Sequence, residues 1–486
     1  MAILSSRSTA ENAENLRLFK SHRTHTASDP LRRVLGWLFY AYVWIELLWV
    51  WLDSLPVRLV IPLGSSQLRE TDLVVFAFLA VWGGRAMLHG HSSRKAIGGS
   101  VYGIVFLLLI PVLIGLAVGK PLGTVLRDVR VPLYYATMLP MLVVLRNHTD
   151  LHRLQRFIMF IGFVSMLSSI GLWLASRFTS AAESMVQRYG FGSLNVLGTW
   201  LLFIAVASVL FGDAGLSRKR WAGVLVVLGL IQTYVVNDVR STYVGVLGGL
   251  LFLACVPWLW SRRSRLPVGL RQRWLKWGIV VSGLLLVLMF SLGLAMAWSG
   301  LNVRDIVGNN MTLRRFYSLV DPTIEGYGLS NREDRLVAVS YGLEIGFNNY
   351  GLGLGYGDNS FVNLDENQIY GLIQRNRIEG NPGNIIEGLL FFHNSFAWVF
   401  GRLGLWLALI YFFLVLVLFV RAWRAAYQAK LTGLRVFTFA TLAFVIYTLI
   451  SGFGGGGFFS YLGPGMAFWL IALAVLIRST ALMSEG

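Results

Sequence analysis

The stretch Leu403-Gly-Leu-Trp-Leu-Ala-Leu-Ile-Tyr-Phe-Phe-Leu-Val-Leu-Val-Leu-Phe-Val420 carries no charge over its whole length. At about 1.5 Å rise per residue, such a run comes close to the ~30 Å hydrocarbon core of a bilayer. Similar runs recur outward from it in both directions. They lie at 34–52, 73–88, 100–119, 132–146, 157–175, 195–212, 221–237, 241–260, 277–298, 436–452 and 459–477. With 403–420 they make about twelve expected spans, and the fold class they predict is an all-α polytopic membrane protein.

Composition agrees. The 486 residues are 56% hydrophobic and 14% charged, with a mean hydropathy of +0.63. A soluble domain carries roughly 25% charged residues. Seventeen Trp and 31 Phe suit helix ends that sit among lipid headgroups. The formal charge of +18 does not indicate a nucleic-acid partner, because the basic residues fall in short clusters between apolar runs. The single cysteine, Cys255, excludes a disulfide within the chain and reads as a core filler inside an apolar run.

Residues 1–33 are polar, hold six basic side chains and lack an apolar signal core, so they read as a cytoplasmic tail. With the N-terminus inside, 26 of the 42 Lys and Arg fall in segments expected on the inner side. Of the 16 on the outer side, seven lie in one long loop, where the positive-inside rule has little force. Both termini are therefore expected in the cytoplasm of a bacterial inner membrane, with 478–486 as the second tail. Spans one to nine occupy 34–298, a large periplasmic loop occupies 299–392, and 393–477 returns to the membrane for three further helices. Glu46, the one acid well inside a span, lies near its outer end and reads as interfacial.

The long loop carries helix and turn signals. Ser330-Asn331-Arg332-Glu333 is a capping box for a helix reaching about Phe347, and Asn384 with Glu387 repeats the pattern. Gly351-Leu-Gly-Leu-Gly355 and Gly380-Asn-Pro-Gly383 call for tight turns. A structured loop of this length is usually functional.

Six of the seven histidines fall in the tail or in expected cytoplasmic loops, and only His393 faces outward, where the long loop returns to the membrane. A neutral imidazole there suits the deprotonation of a hydroxyl near neutral pH. Glu387, a helical turn or so earlier, is the second candidate base. Arginines stand at outer helix entrances: Arg188 before Asn195, and Arg240 in a turn of a few residues between two spans. With Arg332 and Arg335 of the capped helix they form a set suited to clamp a phosphate or diphosphate. The sequence has no Cys/His metal spacing, no P-loop and no Gly-x-Ser-x-Gly. The expected chemistry uses no metal and no cofactor, with guanidinium stabilising a departing diphosphate.

These residues resemble the O-antigen ligase and O-antigen (exopolysaccharide) polymerase superfamily of bacterial glycan assembly. The likeness rests on the span layout, the long loop after the ninth span and four local matches. The matches are Arg188-Tyr-Gly-Phe-Gly-Ser-Leu-Asn195, Arg240-Ser-Thr-Tyr-Val-Gly245, Asn331-Arg-Glu-Asp-Arg335 leading to Gly351-Leu-Gly-Leu-Gly355, and His393-Asn394 with Gly404. The resemblance implies an inverting, metal-independent glycosyltransferase of the membrane-embedded, GT-C-like kind. Its donor would be a glycan on undecaprenyl diphosphate and its acceptor a glycan or lipid A-core. A flippase and a chain-length regulator are candidate partners. Residues matching Arg188 and Arg240 would hold the diphosphate, and His393 would orient or deprotonate the acceptor. Leu407 stands where the ligase pattern carries Gly, Thr or Tyr, which favours polymerase. The alternative from another class is a secondary transporter or lipid-linked glycan flippase, which commonly shows related halves; none are visible here.

Overall fold

The computed structural model describes residues 29–52, 61–63, 66–89, 99–176, 178–179, 192–212, 216–236, 240–263, 339, 341–347, 350–356, 395–429, 431–452 and 464–484. In chain order the elements begin with α1 (Pro30–Leu52), the strands β1 (Ile61–Leu63) and β2 (Ser66–Leu68), α2 (Glu70–His89) and α3 (Gly99–Ala117). Three short helices follow, α4 (Leu122–Asp128), α5 (Arg130–Ala136) and α6 (Met138–Val144), then α7 (His148–Ala175) and α8 (Gly192–Phe211). Next come α9 (Leu216–Ile231) with a π-helical turn at Gln232–Val236, α10 (Arg240–Arg263), α11 (Ser395–Gln428), α12 (Thr432–Ser451) and α13 (Pro464–Ser484). β1 and β2 form a small antiparallel hairpin, pairing Ile61 with Leu68 and Leu63 with Ser66.

The architecture is helical because a backbone in lipid must satisfy its own hydrogen bonds. Among the described residues, six helices are long and apolar enough to cross a membrane: α2, α3, α7, α11, α12 and α13. Shorter apolar stretches lie at Asn195–Phe211 and Ser241–Val256. Every expected span except 132–146 and 277–298 falls on one of the helices, and 277–298 lies outside the described residues. The segment expected as one span at 132–146 instead belongs to a helical course that starts at Leu122 and is broken at Val129, ahead of the expected span, and at Thr137 within it. Pro132 and Pro140 explain the breaks. A proline ring clashes with the carbonyl four residues earlier and donates no hydrogen bond to it. Those carbonyls belong to Asp128 and Ala136, the last residues of α4 and α5. α7 starts before its expected span because Asn147 and Asp150 cap each other reciprocally, the Asp150 N–H donating to Asn147 Oδ1 at 2.9 Å.

α8, α12 and α13 form the centre of the bundle; 83% of the apolar window of α13 is buried against 22% of that of α2. Trp200 stacks on Phe444, ring centroids 4.4 Å apart, and Phe211 meets Phe439 at 4.8 Å. Lipid tails compete well for apolar side chains, so close helix packing in a bilayer relies on small residues. Gly245 and Gly249 bring α10 onto α12, where an added Cβ would lie 2.9 Å from Tyr447 and 3.0 Å from the Ala443 carbonyl. Cys255, expected to fill the core, is exposed on the outer flank of α10; its face of the helix points away from α12.

Ion pairs sort the two ends of the bundle. At one, here the tail end, Arg85 pairs with Asp29 at 2.8 Å and Arg32 with Asp150 at 2.6 Å. The Arg478 guanidinium also reaches the Arg146 carbonyl there. At the other, the loop end, lie the starts of α2, α8, α10 and α11, the ends of α3 and α12, and residues 350–356. Among the described helices α1, α2 and α3 alternate in direction, as do α7, α8, α9 and α10, and α11, α12 and α13.

Candidate functional site

The loop end is built around glycine. Residues 341–347 are helical, within the helix expected from the sequence; its expected capping box lies outside the described residues. Gly351, Gly353 and Gly355 then take positive φ values of 79°, 70° and 69°, a region that only glycine enters freely. The turn expected from Gly351-Leu-Gly-Leu-Gly355 is therefore present. It docks on a fourth glycine of positive φ, Gly404 (φ 77°), which kinks α11. A Cβ on Gly404 would overlap the backbone of Gly351, Leu352 and Gly353.

Four main-chain bonds hold the turn. Leu354 N–H donates to the Gly401 carbonyl at 2.9 Å, Gly355 N–H to Arg402 at 3.2 Å, and Tyr356 N–H to Pro111 at 2.9 Å. Trp406 N–H donates in return to the Gly351 carbonyl at 3.2 Å. The turn thereby bridges the end of α3 and the kink of α11.

Buried charges surround this junction. Arg402 pairs with Asp128 at 3.3 Å, donates to the Gly355 carbonyl at 3.3 Å, and stands 5.7 Å over the Trp398 ring. Two residues from Asp128, across the break at Val129, Arg130 pairs with Asp72 at 3.4 Å. Tyr134 donates to Thr71 and Asp72 at 2.9 and 3.2 Å. Glu46 is buried among Tyr42, Tyr134, Asp72 and Arg69, so it belongs to this network and is not interfacial. Burial, with the Asp128 carboxylate beside it, pushes the Tyr356 hydroxyl well above the usual tyrosine range.

Sequence reading missed Asp72, Asp128, Arg130 and Arg402. A signal existed: Asp72 and Arg402 directly precede expected spans, and Arg130 and Asp128 lie two and four residues before another, where an unpaired charge is costly.

Of the residues expected to carry chemistry, Arg188, Arg332, Arg335, Glu387, His393 and Asn394 lie outside the described residues. So do the turn at 380–383 and the capping pair Asn384 and Glu387. Arg240 is the first residue of α10, and Gly404 is the kink described above. Described residues beside several of these positions converge. Ser395, two residues after His393, donates its N–H to the Gly452 carbonyl at 3.0 Å. Thr199, Thr242 and Ser451 stand around the Tyr447 hydroxyl, and Thr242 lies two residues after Arg240. The end of α12 therefore gathers the starts of α8, α10 and α11. Gly245, the last residue of the Arg240 motif, packs against Tyr447 in the same place.

Among the described residues, no group of three or more His, Cys, Asp or Glu stands together as a metal site. No protein-family model matches the chain, and no curated protein matches it in sequence.

Proposed function

We propose that the chain is an inverting, metal-independent glycosyltransferase that uses an undecaprenyl-diphosphate-linked glycan at the periplasmic face of the inner membrane. The observation that carries this reading is the gathering of Thr199, Thr242 and Ser395 at the end of α12. These residues follow, at short distance in the chain, the segments that hold Arg188, Arg240 and His393. In the proposed reaction the acceptor hydroxyl attacks the anomeric carbon from the face opposite the diphosphate. The bond from that carbon to the phosphate oxygen breaks, and undecaprenyl diphosphate leaves with the electron pair. Arg188 and Arg240, with Arg332 and Arg335, hold its charge. His393 takes the hydroxyl proton; Glu387 is the second candidate for that role, and Asn394 orients the site.

The placement of buried charge supports a transferase over a transporter. Among the described residues, five of the six buried charged side chains, Glu46, Asp72, Asp128, Arg130 and Arg402, lie at the loop end and one, Arg478, at the tail end, while the bundle centre is packed with aromatic rings. Transporters place polar groups near the midplane. Buried charge weighted so heavily to one end, and absent from the centre among the described residues, fits chemistry performed at one face.

Leu407 favours chain extension over transfer to a foreign acceptor. The test gives purified protein only undecaprenyl-diphosphate-linked repeat units. A ladder of longer lipid-linked chains identifies a polymerase. Donor left unchanged until lipid A-core is added identifies a ligase. Movement of lipid between leaflets with no new glycosidic bond refutes both.

A further inference from the structure

The glycine turn sits deeper in the bundle than its place in a long loop suggests. Tyr356 N–H donates to the Pro111 carbonyl of α3, and a Cβ on Gly355 would lie 2.7 Å from the Gly115 nitrogen. α3 continues past Pro111 to Ala117, and no charge stands on the chain between Gly99 and Lys120. The turn therefore meets α3 about 9 Å short of the helix end, inside an uncharged stretch.

α11 provides a second ruler. After its kink, the exposed side chains of Trp406, Leu409, Phe413, Leu416 and Val420 recur every three or four residues and form one apolar face. Arg421, exposed, follows directly. From Arg421 back to Trp406 is about 22 Å along the axis, whereas the hydrocarbon layer is about 30 Å thick. With Arg421 at one boundary, Trp406 stands about 8 Å inside the other, and any tilt of the helix deepens it. The turn is tied to that level, because the Trp406 indole N–H donates to the Tyr350 carbonyl at 3.1 Å and its main-chain N–H to Gly351 at 3.2 Å. The helix at 341–347 leads down to it along α11. A Cβ on Gly342 would touch the Ala397 backbone, and one on Gly346 would lie 3.3 Å from the Leu405 nitrogen.

The segment suits that depth. Residues 341–356 hold one charge, Glu344. Gly351, Gly353 and Gly355 are buried. The Leu354, Gly355 and Tyr356 N–H groups and the Tyr350, Gly351 and Gly355 carbonyls are all bonded to α3 or α11. Irregular backbone is tolerated at membrane depth only where protein satisfies it in this way. The apolar side chains point outward instead: Phe347 is 62% exposed, Tyr350 91% and Leu352 49%.

We propose that residues 341–356 form a re-entrant segment, seated in the loop-end leaflet of the bilayer, whose Phe347, Tyr350 and Leu352 side chains contact lipid chains directly. The sequence reading places this segment outside the membrane, within the loop at 299–392. Continuity identifies the occupant as lipid. The turn bridges α3 and α11, whose exposed apolar faces, Leu109, Leu113 and Leu116 on one and the stripe from Trp406 on the other, run up to it. The surface beside the kink is thereby approached from the bilayer and not from water. The proposal does not rest on the transferase reading.

The test uses the full chain in lipid nanodiscs with Cys255→Ala, so that one introduced cysteine carries a nitroxide spin label. Leu352→Cys is compared with Phe413→Cys, on the apolar face of α11, and with Thr149→Cys, exposed at the tail end. Relaxation of the label by dissolved oxygen, which concentrates in lipid, is set against relaxation by a water-soluble nickel complex. The oxygen-to-nickel ratio at 352 is expected to match that at 413 and to exceed that at 149 on the order of tenfold, because desolvation keeps the polar complex out of an apolar layer. Ready collision with the nickel complex at 352 would place the segment in water and overturn the proposal. Weak relaxation by both agents would mean that protein covers it, from this chain or a second copy, and would overturn it equally. If Leu352→Cys fails to accumulate in the membrane, Phe347→Cys decides by the same ratio.

Discussion

Gly404→Ala is the sharpest test of the glycine junction. An L-residue held at φ 77°, ψ 177°, a region essentially confined to glycine, costs about 1–3 kcal/mol. Forcing a methyl against the backbone of Gly351, Leu352 and Gly353 adds about 1–3 kcal/mol. Opposing this are the four main-chain bonds of the turn, each contributing about 1 kcal/mol net. The strain is comparable to what holds the turn, so residues 350–356 are expected to undock while the two arms of α11 stay helical. Hydrogen exchange reads this directly. The amides of Leu354, Gly355, Tyr356 and Trp406 should exchange on the order of 10²-fold faster, each factor of ten being 1.4 kcal/mol. Gly433→Ala in α12, where an added Cβ meets open space, should leave them unchanged. Wild-type protection of those four amides in Gly404→Ala would refute the account of the kink.

Four other outcomes are expected. Asp128→Asn leaves Arg402 buried without its counter-charge and should destabilise the detergent-solubilised protein by about 3–5 kcal/mol in thermal unfolding; Asp150→Asn, at the more accessible tail end, should cost far less. Arg240→Ala should be close to inactive and Arg240→Lys impaired in a product-ladder assay, because lysine keeps the charge but loses the two-pronged contact; wild-type product from Arg240→Ala would mean that this arginine merely reaches for the headgroups. His393→Ala should lose about 10²–10⁴-fold in turnover with donor lipid still bound; turnover within a few-fold of wild type would transfer the role to Glu387. Reporter fusions at 216, 268 and 428 should be cytoplasmic and those at 182 and 340 periplasmic, and a cytoplasmic signal at 340 would remove the proposed site.

The helices were legible because lipid leaves a spanning backbone few options, so apolar length alone locates them. The Gly351–Gly355 turn was legible for a similar reason: three glycines at every second residue have few other uses. What escaped was set by contacts distant in sequence. Glu46 reads as interfacial until α2 and the broken helix close over it. Cys255 reads as core until α10 acquires a preferred side through Gly245 and Gly249. The breaks at Val129 and Thr137 were in principle readable from Pro132 and Pro140. The partnership of Asp128 with Arg402 was not, because 274 positions separate them and neither matches a motif. Six of the eight residues expected to carry the chemistry lie outside the described residues, so for them the sequence remains the source.

The two ends of the bundle treat charge differently, and the difference bears on function. At the tail end the side chains of Arg32 and Asp150 are 22% and 14% exposed, and those of Arg85 and Asp29 are 14% and 21%. Such pairs keep part of their hydration and cost little to form. At the loop end Arg402 and Asp128 are 6% and 2% exposed, and Arg130 and Asp72 are 9% and 3%. Pairs this deeply buried rarely contribute net stability, because desolvation offsets their attraction. Their effect is geometric. Asp128 and Arg130 sit on either side of one proline-induced break, and each is tied to a different part of the bundle. The broken helix becomes a crossbar joining the start of α2 to the kink of α11. A fold that needed only to cross the membrane would gain nothing from that expense at one end. A fold that must hold the 350–356 turn and the α11 entrance in fixed register gains a rigid frame there, which is what the proposed transfer at a single face would need.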